Sequence, residues 1–263
     1  MKENNIEVIK SSQNARVKRL RRLMKSPAER NAEGVYPVEG IRMAREIPSA
    51  LVEELYLSES AAGAFAKEIP AGVSPVLLGD DLFRSVSDTR NPQGILAIVR
   101  KKQYTMEDLT AAGRPLVILE ALQDPGNMGT ILRSLEAAGG GGLLCDPACA
   151  DIYSLKTLRS TMGAVFRMPH LTAGDLAAAV SELKRCGYRI YAAHLSGKCA
   201  FTGIKYTDRS AFLIGNEGRG LTEETAALAD EYVRIPMEGS VESLNAAVAA
   251  SLLLYEVKRQ QRP

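Results

Sequence analysis

The clearest indication of the fold lies in residues 115–139, PLVILEALQDPGNMGTILRSLEAAG. The first eight residues, 115–122, are almost all apolar, which is typical of a strand buried on both faces of a parallel sheet. After a polar loop, TILRSLEAAG (130–139) has the apolar spacing of a helix, and we predict that the helix ends at Gly139. A strand followed directly by a helix is the building unit of an α/β protein.

The rest of the C-terminal half repeats this alternation. We predict apolar strands at GLLCD (142–146), YRIYAAHL (188–195), SAFLIG (210–215) and YVRIPM (232–237). We predict helices at LAAAVSELKRCG (176–187), ETAALA (224–229) and SLNAAVAASLLLYEVKRQ (243–260). This pattern predicts a parallel sheet with helices on both faces.

The N-terminal part, residues 1–103, alternates shorter strands and helices and predicts a smaller α/β domain. NARVKRLRRLMKSPAER (14–30) predicts an amphipathic helix. The apolar face of that helix would consist of Val17, Leu20, Leu23 and Met24. A polar stretch at 104–114 predicts a linker, so we expect domains at 1–103 and 115–263.

Composition limits the classes of function. With 263 residues, of which 46% are hydrophobic and 24% charged, the chain has the composition of a globular protein. No apolar run approaches the roughly 20 residues that span a bilayer, and no secretory signal begins the chain, so we expect a cytoplasmic protein. The four cysteines form no CxxC pair or zinc-type spacing, and there are two histidines, so we expect no metal and little histidine-based catalysis.

Positive charge is concentrated at the front of the chain. The formal net charge is +2, but residues 1–30 carry nine Lys and Arg against three Glu, a balance of +6. Residues 31–112 have a balance of −4, and residues 113–263 are neutral. Clustered positive charge is the usual feature of a surface that binds a phosphate backbone. A solvated helix face explains the same pattern equally well, so charge alone leaves both interpretations open.

Three loops in the C-terminal half are richer in glycine and polar residues than packing requires. They are QDPGNMG (123–129), LIGNEGRGL (213–221) and RIPMEGSVESLN (234–245). Each follows a predicted strand, where open α/β sheets bind their ligands. The GxxGxG spacing of the second loop is not the GxGxxG of dinucleotide-binding folds, and no GK[ST] occurs. A Rossmann-type dehydrogenase or methyltransferase and a nucleotide hydrolase are therefore disfavoured.

Each loop, taken singly, is also explained as a tight connection between a strand and a helix. Ser243 and Asn245 are likewise explained as polar residues at the start of a helix. Taken together and in this order, NMGTILRSLEAAG, IGNEGRGL and IPMEGSVESLNAAVAASLLLYE resemble the three motifs of the SpoU (TrmH-type) family of RNA 2′-O-ribose methyltransferases. SSQNARVKRLRRLMKSPAERNAEGVYPVEGIRMAREIPSA (11–50) is similar to that family's N-terminal substrate-binding domain.

The resemblance implies an architecture that the periodicity does not reveal. It implies a parallel-sheet SPOUT methyltransferase domain at 115–263 with a deep trefoil knot, a rare exception to unknotted connectivity. It implies an RNA substrate-binding domain of ribosomal-protein-like α/β fold at 1–103. S-adenosylmethionine would lie bent between the second and third motifs, and the protein would be a homodimer with its active site near the subunit interface.

The resemblance also implies a role for particular residues. Those implied to make backbone contacts to the cofactor are Gly215, Ile235 and Leu244. Those implied to act on the nucleotide are Arg133, Asn127, Glu217, Ser243 and Asn245. Arg133 would activate the ribose hydroxyl, although arginine is an unusual base because its pKa is far above neutral, so its minimal role is to orient the ribose. A simple pairing of Glu217 with Arg219 is the alternative for that carboxylate.

We therefore expect methylation of a ribose 2′-hydroxyl in RNA that depends on S-adenosylmethionine and uses no metal. A separate N-terminal domain favours ribosomal RNA, because relatives that act on transfer RNA often have short terminal extensions instead. Transfer RNA is the alternative substrate. A catalytically silent RNA-binding dimer is the alternative function, and the presence of all five nucleotide-directed residues counts against it.

Overall fold

The structure is a computed structural model that describes residues 8–69 and 72–261. Lys2, Glu3 and Glu7, which contribute to the charge of the first segment, lie outside the described residues. The chain divides into two compact units. The first extends to Lys102 and includes Tyr153–Phe166, and the second comprises Gln103–Ile152 and the chain from Arg167 onward.

The first unit contains a five-stranded mixed sheet. Its strands are β1 (Val8–Ile9), β2 (Val35–Glu39), β3 (Val52–Ser58), β4 (Val76–Leu78) and β5 (Ile95–Arg100). They lie in the order β1-β4-β3-β5-β2, with β1, β4 and β3 parallel and β5 antiparallel to both neighbours. The helices of this part are α1 (Ala15–Lys25), α2 (Pro27–Glu33), α3 (Ile41–Ala44) and α4 (Asp80–Val86).

The predicted amphipathic helix at 14–30 is two helices. Helix α1 follows Asn14, whose side chain accepts the Arg16 N–H, and it buries Val17, Leu20 and Leu23, as the spacing predicts. The break falls at Ser26, which caps α2, and Pro27, which has no N–H for a continuous helix. The apolar face therefore packs into the core, and the basic residues lie around it.

The second unit contains a seven-stranded sheet that is entirely parallel, as predicted, although the sequence analysis did not predict the short strands at His170–Thr172 and Cys199–Ala200. Its strands are β6 (Leu116–Leu119), β7 (Gly142–Cys145), β8 (His170–Thr172), β9 (Arg189–Ala193), β10 (Cys199–Ala200), β11 (Ser210–Ile214) and β12 (Glu231–Arg234). They lie in the order β10-β12-β9-β11-β6-β7-β8. The remaining helices are α5 (Met106–Thr110), α6 (Pro125–Ala138), α7 (Leu155–Thr161), α8 (Leu176–Arg185), α9 (Glu223–Ala226) and α10 (Ala246–Gln261). Of these, α7 groups with the first unit.

Three helix positions differ from those predicted. Helix α6 begins at Pro125 and not at residue 130, because Asp124 caps it and a proline suits the first helical position. Helix α10 begins at Ala246, three residues later than predicted. A capping box formed by Thr105 and Asp108 starts α5 inside the stretch predicted as a linker. The first and second shifts place Asn127 in the first turn of α6 and Asn245 immediately before α10.

The order of the strands brings the three polar loops to one edge of the sheet. Strands β6 and β11 are neighbours at its centre, and β9 separates β11 from β12. Because all are parallel, the loops that follow β6, β11 and β12 leave at the same carboxyl edge. Within residues 8–69 and 72–261, no helix has the length and apolar character needed to cross a membrane.

Candidate functional site

The first loop passes from β6 to α6 through a turn that side chains hold in place. Ala121 has a positive φ of 48°, and its N–H donates to both carboxylate oxygens of Asp146 at 3.1 Å. The Asp124 side chain accepts the Asn127 N–H at 2.8 Å and caps the helix. Asn127 is therefore fixed in the first helical turn.

The second loop, residues 215–221, is a closed turn after β11. Asn216 and Gly220 exchange two backbone hydrogen bonds, at 2.9 and 3.0 Å, and the Asn216 side-chain oxygen accepts the N–H groups of Gly218 and Arg219. A Cβ atom on Gly215 would lie 2.2–2.4 Å from backbone atoms of Gly220 and Leu221. Only glycine permits the two ends of this loop to approach so closely.

Glu217 connects the second loop to the first. Its carboxylate accepts the N–H groups of Gln123 at 3.0 Å and Asp124 at 2.9 Å, and the Asn127 side-chain amide at 2.9 Å. Partial burial acts to raise the pKa of Glu217, but these hydrogen bonds outweigh it and hold that pKa below its ordinary value. Glu217 makes no ion pair with Arg219 in the described part of the chain, so the alternative pairing is wrong.

Asn245 connects the third loop to the same group. Its side-chain oxygen accepts the N–H groups of Ala247 at 2.9 Å and Val248 at 3.3 Å, which caps α10. Its side-chain amide donates to the Asn127 Oδ1 at 2.8 Å. A continuous chain of hydrogen bonds, Glu217–Asn127–Asn245, therefore joins the three loops.

A cavity of about 300 Å³ opens between the second and third loops. Five of the eight predicted site residues line it, namely Gly215, Glu217, Ile235, Ser243 and Leu244. Its walls combine loop backbone with apolar side chains, as is usual for a site that binds a small organic ligand, and its volume is at the lower end of such sites. The three residues predicted from the resemblance to contact a cofactor are thus brought together.

Arg133 lies apart from this group. It is on the exposed face of α6, six residues or about 1.7 turns after Asn127, and it does not line the cavity. Its guanidinium forms no hydrogen bond or ion pair with any residue among 8–69 and 72–261. The arginine is therefore available to a ligand outside the cavity. Ser243 lines the cavity and is exposed.

Glu120, which was not predicted from the sequence, holds the end of the second loop. This carboxylate is buried, and it accepts the Thr222 N–H at 2.8 Å, the Thr222 hydroxyl at 2.7 Å and the Thr225 hydroxyl. The available signal was a single acidic residue at the end of the apolar run LVILE. His194 and Arg234 also line the cavity and were not predicted, because the sequence around them gives no local signal.

Among the described residues, no group of three or more His, Cys, Asp or Glu side chains is arranged to hold a metal ion. The polar side chains of the described site are amides, carboxylates, a hydroxyl, arginines and the imidazole of His194.

The comparison with protein families gives two matches that together cover most of the chain. Residues 114–255 match the model of the SpoU rRNA Methylase family. Residues 14–97 match the model of the MRM3-like substrate binding domain.

Individual relatives are similar along nearly their whole length. The 23S rRNA (guanosine(2553)-2′-O)-methyltransferase RlmP of Bacillus subtilis is 30% identical, with 95% of this chain and 98% of that protein covered. The 23S rRNA (uridine(2479)-2′-O)-methyltransferase of Streptomyces viridochromogenes is also 30% identical, with 95% and 92% covered. The crystal structure of the SpoU methyltransferase AviRb from Streptomyces viridochromogenes, in complex with the cofactor AdoMet, is 27% identical with a TM-score of 0.83, covering 95% of this chain and 98% of that one.

Proposed function

This chain belongs to the SpoU rRNA methylase family, and we propose on that premise that it transfers a methyl group from S-adenosylmethionine to a ribose 2′-hydroxyl of ribosomal RNA. The observation that carries the proposal is the Glu217–Asn127–Asn245 chain beside a glycine-dependent cavity. Two relatives of nearly equal length are named as 2′-O-methyltransferases of 23S ribosomal RNA.

The cavity fits the adenosyl part of the cofactor. Gly215 lets the loop close tightly, and Ile235 and Leu244 supply apolar walls for a flat ring. When bound, the cofactor supplies an electrophilic methyl group on a sulfonium. We further propose that the loops around the cavity form the trefoil knot that the family resemblance implies.

The chain's own residues would act on the nucleotide. A 2′-hydroxyl is a weak nucleophile until its proton is removed or its oxygen is oriented towards the methyl carbon. Arg133, which has no partner among the described residues, would hold the ribose and its phosphate, for which the planar guanidinium is suited. Asn127, Asn245 and Ser243 would position the nucleotide, with Glu217 fixing the orientation of the Asn127 amide.

We propose that residues 1–103 bind the RNA, that 104–114 is a linker and that 115–263 is the methyltransferase domain. The match of residues 14–97 to a substrate-binding domain supports this division. The two relatives act, by their names, on a guanosine and a uridine, so family membership leaves the target base open. Both relatives come from bacteria, in which ribosomal RNA lies in the cytoplasm, and we propose the cytoplasm as the location of this protein.

We also propose a homodimer formed through the outer face of α10. Val248, Leu252 and Tyr255 are 46%, 37% and 51% exposed and line one groove with Asn127 and Asn245. The spacing of these three residues forms an apolar stripe along the helix, and a second copy would cover it. Because the groove includes two nucleotide-directed residues, the interface would border the active site. Leu252→Glu should convert the dimer to a monomer in light scattering, whereas the matched change Leu195→Glu, at an exposed leucine outside this groove, should not.

The function is tested by incubating the purified protein with tritiated S-adenosylmethionine and ribosomal RNA that lacks the modification. We expect the label in a 2′-O-methylnucleoside after digestion, with no transfer to the same RNA carrying a 2′-deoxy substitution at the target. Tight cofactor binding without transfer to ribosomal or transfer RNA would favour the catalytically silent RNA-binding dimer.

A further inference from the structure

Arg133 has one acidic residue at helical contact distance, and that residue is already occupied. Residues three or four positions apart on a helix are neighbours, and among the positions at that spacing from Arg133 only Glu136 is acidic. The Glu136 carboxylate instead accepts a two-pronged interaction from Arg167, with Nε on one oxygen and Nη2 on the other at 3.1 Å. All three residues belong to the second unit.

Among the described residues, this arrangement leaves the Arg167 guanidinium paired and the Arg133 guanidinium unpaired. Arg167 engages both oxygens of Glu136, the most favourable geometry for an arginine and a carboxylate. Arg133, one turn earlier on the same helix, makes no hydrogen bond or ion pair in the described residues. Without Arg167, the Glu136 carboxylate would be free to pair with Arg133 at the (i, i+3) spacing.

We propose that Arg167 is a positioning residue that holds Glu136 away from Arg133 and so keeps the Arg133 guanidinium available to the RNA substrate. This inference rests on the proposed role of Arg133. An ion pair between Arg133 and Glu136 would be partly exposed and therefore weak, so it would compete only modestly with the RNA for the Arg133 guanidinium. We expect this competition to lower kcat/KM for RNA about two- to fivefold.

Three variants test the inference, because a purely structural role of Arg167 would not give them the pattern of activities expected here. Arg167→Met removes the fork and frees the Glu136 carboxylate, so kcat/KM for RNA should fall about two- to fivefold. Glu136→Gln removes the competing charge and should retain wild-type activity. The double variant Arg167→Met/Glu136→Gln should recover the activity lost in Arg167→Met. Cofactor affinity should be equal in all three, because none of these residues lines the cavity.

A second measurement detects the pairing of Glu136 with Arg133 without measuring activity. In the Arg167→Met background, adding Arg133→Ala should lower the melting temperature, because a new Arg133–Glu136 pair is lost, whereas Arg133→Ala alone should leave it unchanged. Equal activity of Arg167→Met and wild type, or no recovery in the double variant, overturns the inference. An Arg133→Ala variant that methylates normally overturns instead the proposed role of Arg133, which separates the two failures.

Discussion

Replacing Gly215 by alanine tests whether the closed second loop is the cofactor site. The added Cβ would lie 2.2 Å from the Gly220 carbonyl carbon, 2.3 Å from the Leu221 nitrogen and 2.4 Å from the Gly220 oxygen. Ordinary carbon contacts begin at about 3.4 Å, so the returning segment must retreat by about 1 Å. That movement acts directly on the two backbone hydrogen bonds between Asn216 and Gly220.

The expected size of the effect follows from this overlap. Overpacking a tightly packed site costs about 1–3 kcal/mol. If the strain disfavours the closed loop by that amount, the apparent Kd for S-adenosylmethionine rises by about five- to 150-fold, because the competent conformation becomes a minor one. Isothermal titration calorimetry measures the Kd, and circular dichroism confirms that the domain remains folded.

Gly218→Ala is the matched control in the same loop. The nearest atom to its added Cβ is the Asn216 Oδ1 at 3.7 Å, an ordinary contact, so cofactor affinity should stay within about twofold of wild type. Wild-type affinity in Gly215→Ala, or an equal loss in both variants, would refute the assignment of this loop.

Four further changes separate the groups that hold the fold from those that act on RNA. Glu120→Ala leaves two threonine side chains and an amide without their carboxylate acceptor, and urea unfolding should show a loss of about 1–3 kcal/mol. Glu217→Gln should lower the melting temperature at neutral pH. Because the pKa of Glu217 is depressed in the folded protein, the stability that its carboxylate contributes is present above the unfolded pKa of about 4.3 and is lost as the pH falls through the folded pKa. The difference in melting temperature between the variant and the wild type should therefore shrink below about pH 4. Lys18→Ala should reduce RNA affinity and lower the slope of log affinity against log salt by about 0.7–0.9, without lowering stability. Arg19→Ala should lower stability, because Arg19 is paired with three glutamates.

The regular elements were largely predictable because they depend on local spacing. The buried strand at 115–122 and the C-terminal helix follow from runs and periods of apolar residues, and the structure confirms both within a few residues. The start of α6 was placed too late, although Asp124 and Pro125 together are a helix-start signal. Local chemistry of this kind is accessible to sequence reasoning.

The contacts that build the site were not predictable in the same way. Asn127 and Asn245 are hydrogen-bonded across 118 positions of sequence, and Glu120 reaches Thr222 across 102. No periodic pattern specifies which side chains meet at such separations, because strand order determines them. The roles of the site residues came from a family resemblance, and the structure adds the hydrogen bonds that connect three of them.

Charge counting was informative only in part. The basic balance of residues 1–30 predicted an RNA-binding surface or a solvated face with equal weight. The structure shows that Arg19 is paired with glutamates and that Arg30 is buried and donates to the Leu23 carbonyl, so neither is available to RNA. The sequence does not distinguish basic residues that pair with other groups of the protein from basic residues that face a ligand.

The proposed function is best tested by a map of 2′-O-methylation across total RNA from cells with and without the gene. We expect one ribose in ribosomal RNA to lose its methyl group when the gene is deleted. The wild-type gene should restore the modification, and an Arg133→Ala copy should not. Identical maps in the two strains, or a lost methyl group found only in transfer RNA, would contradict the claim that this protein methylates a ribose of ribosomal RNA.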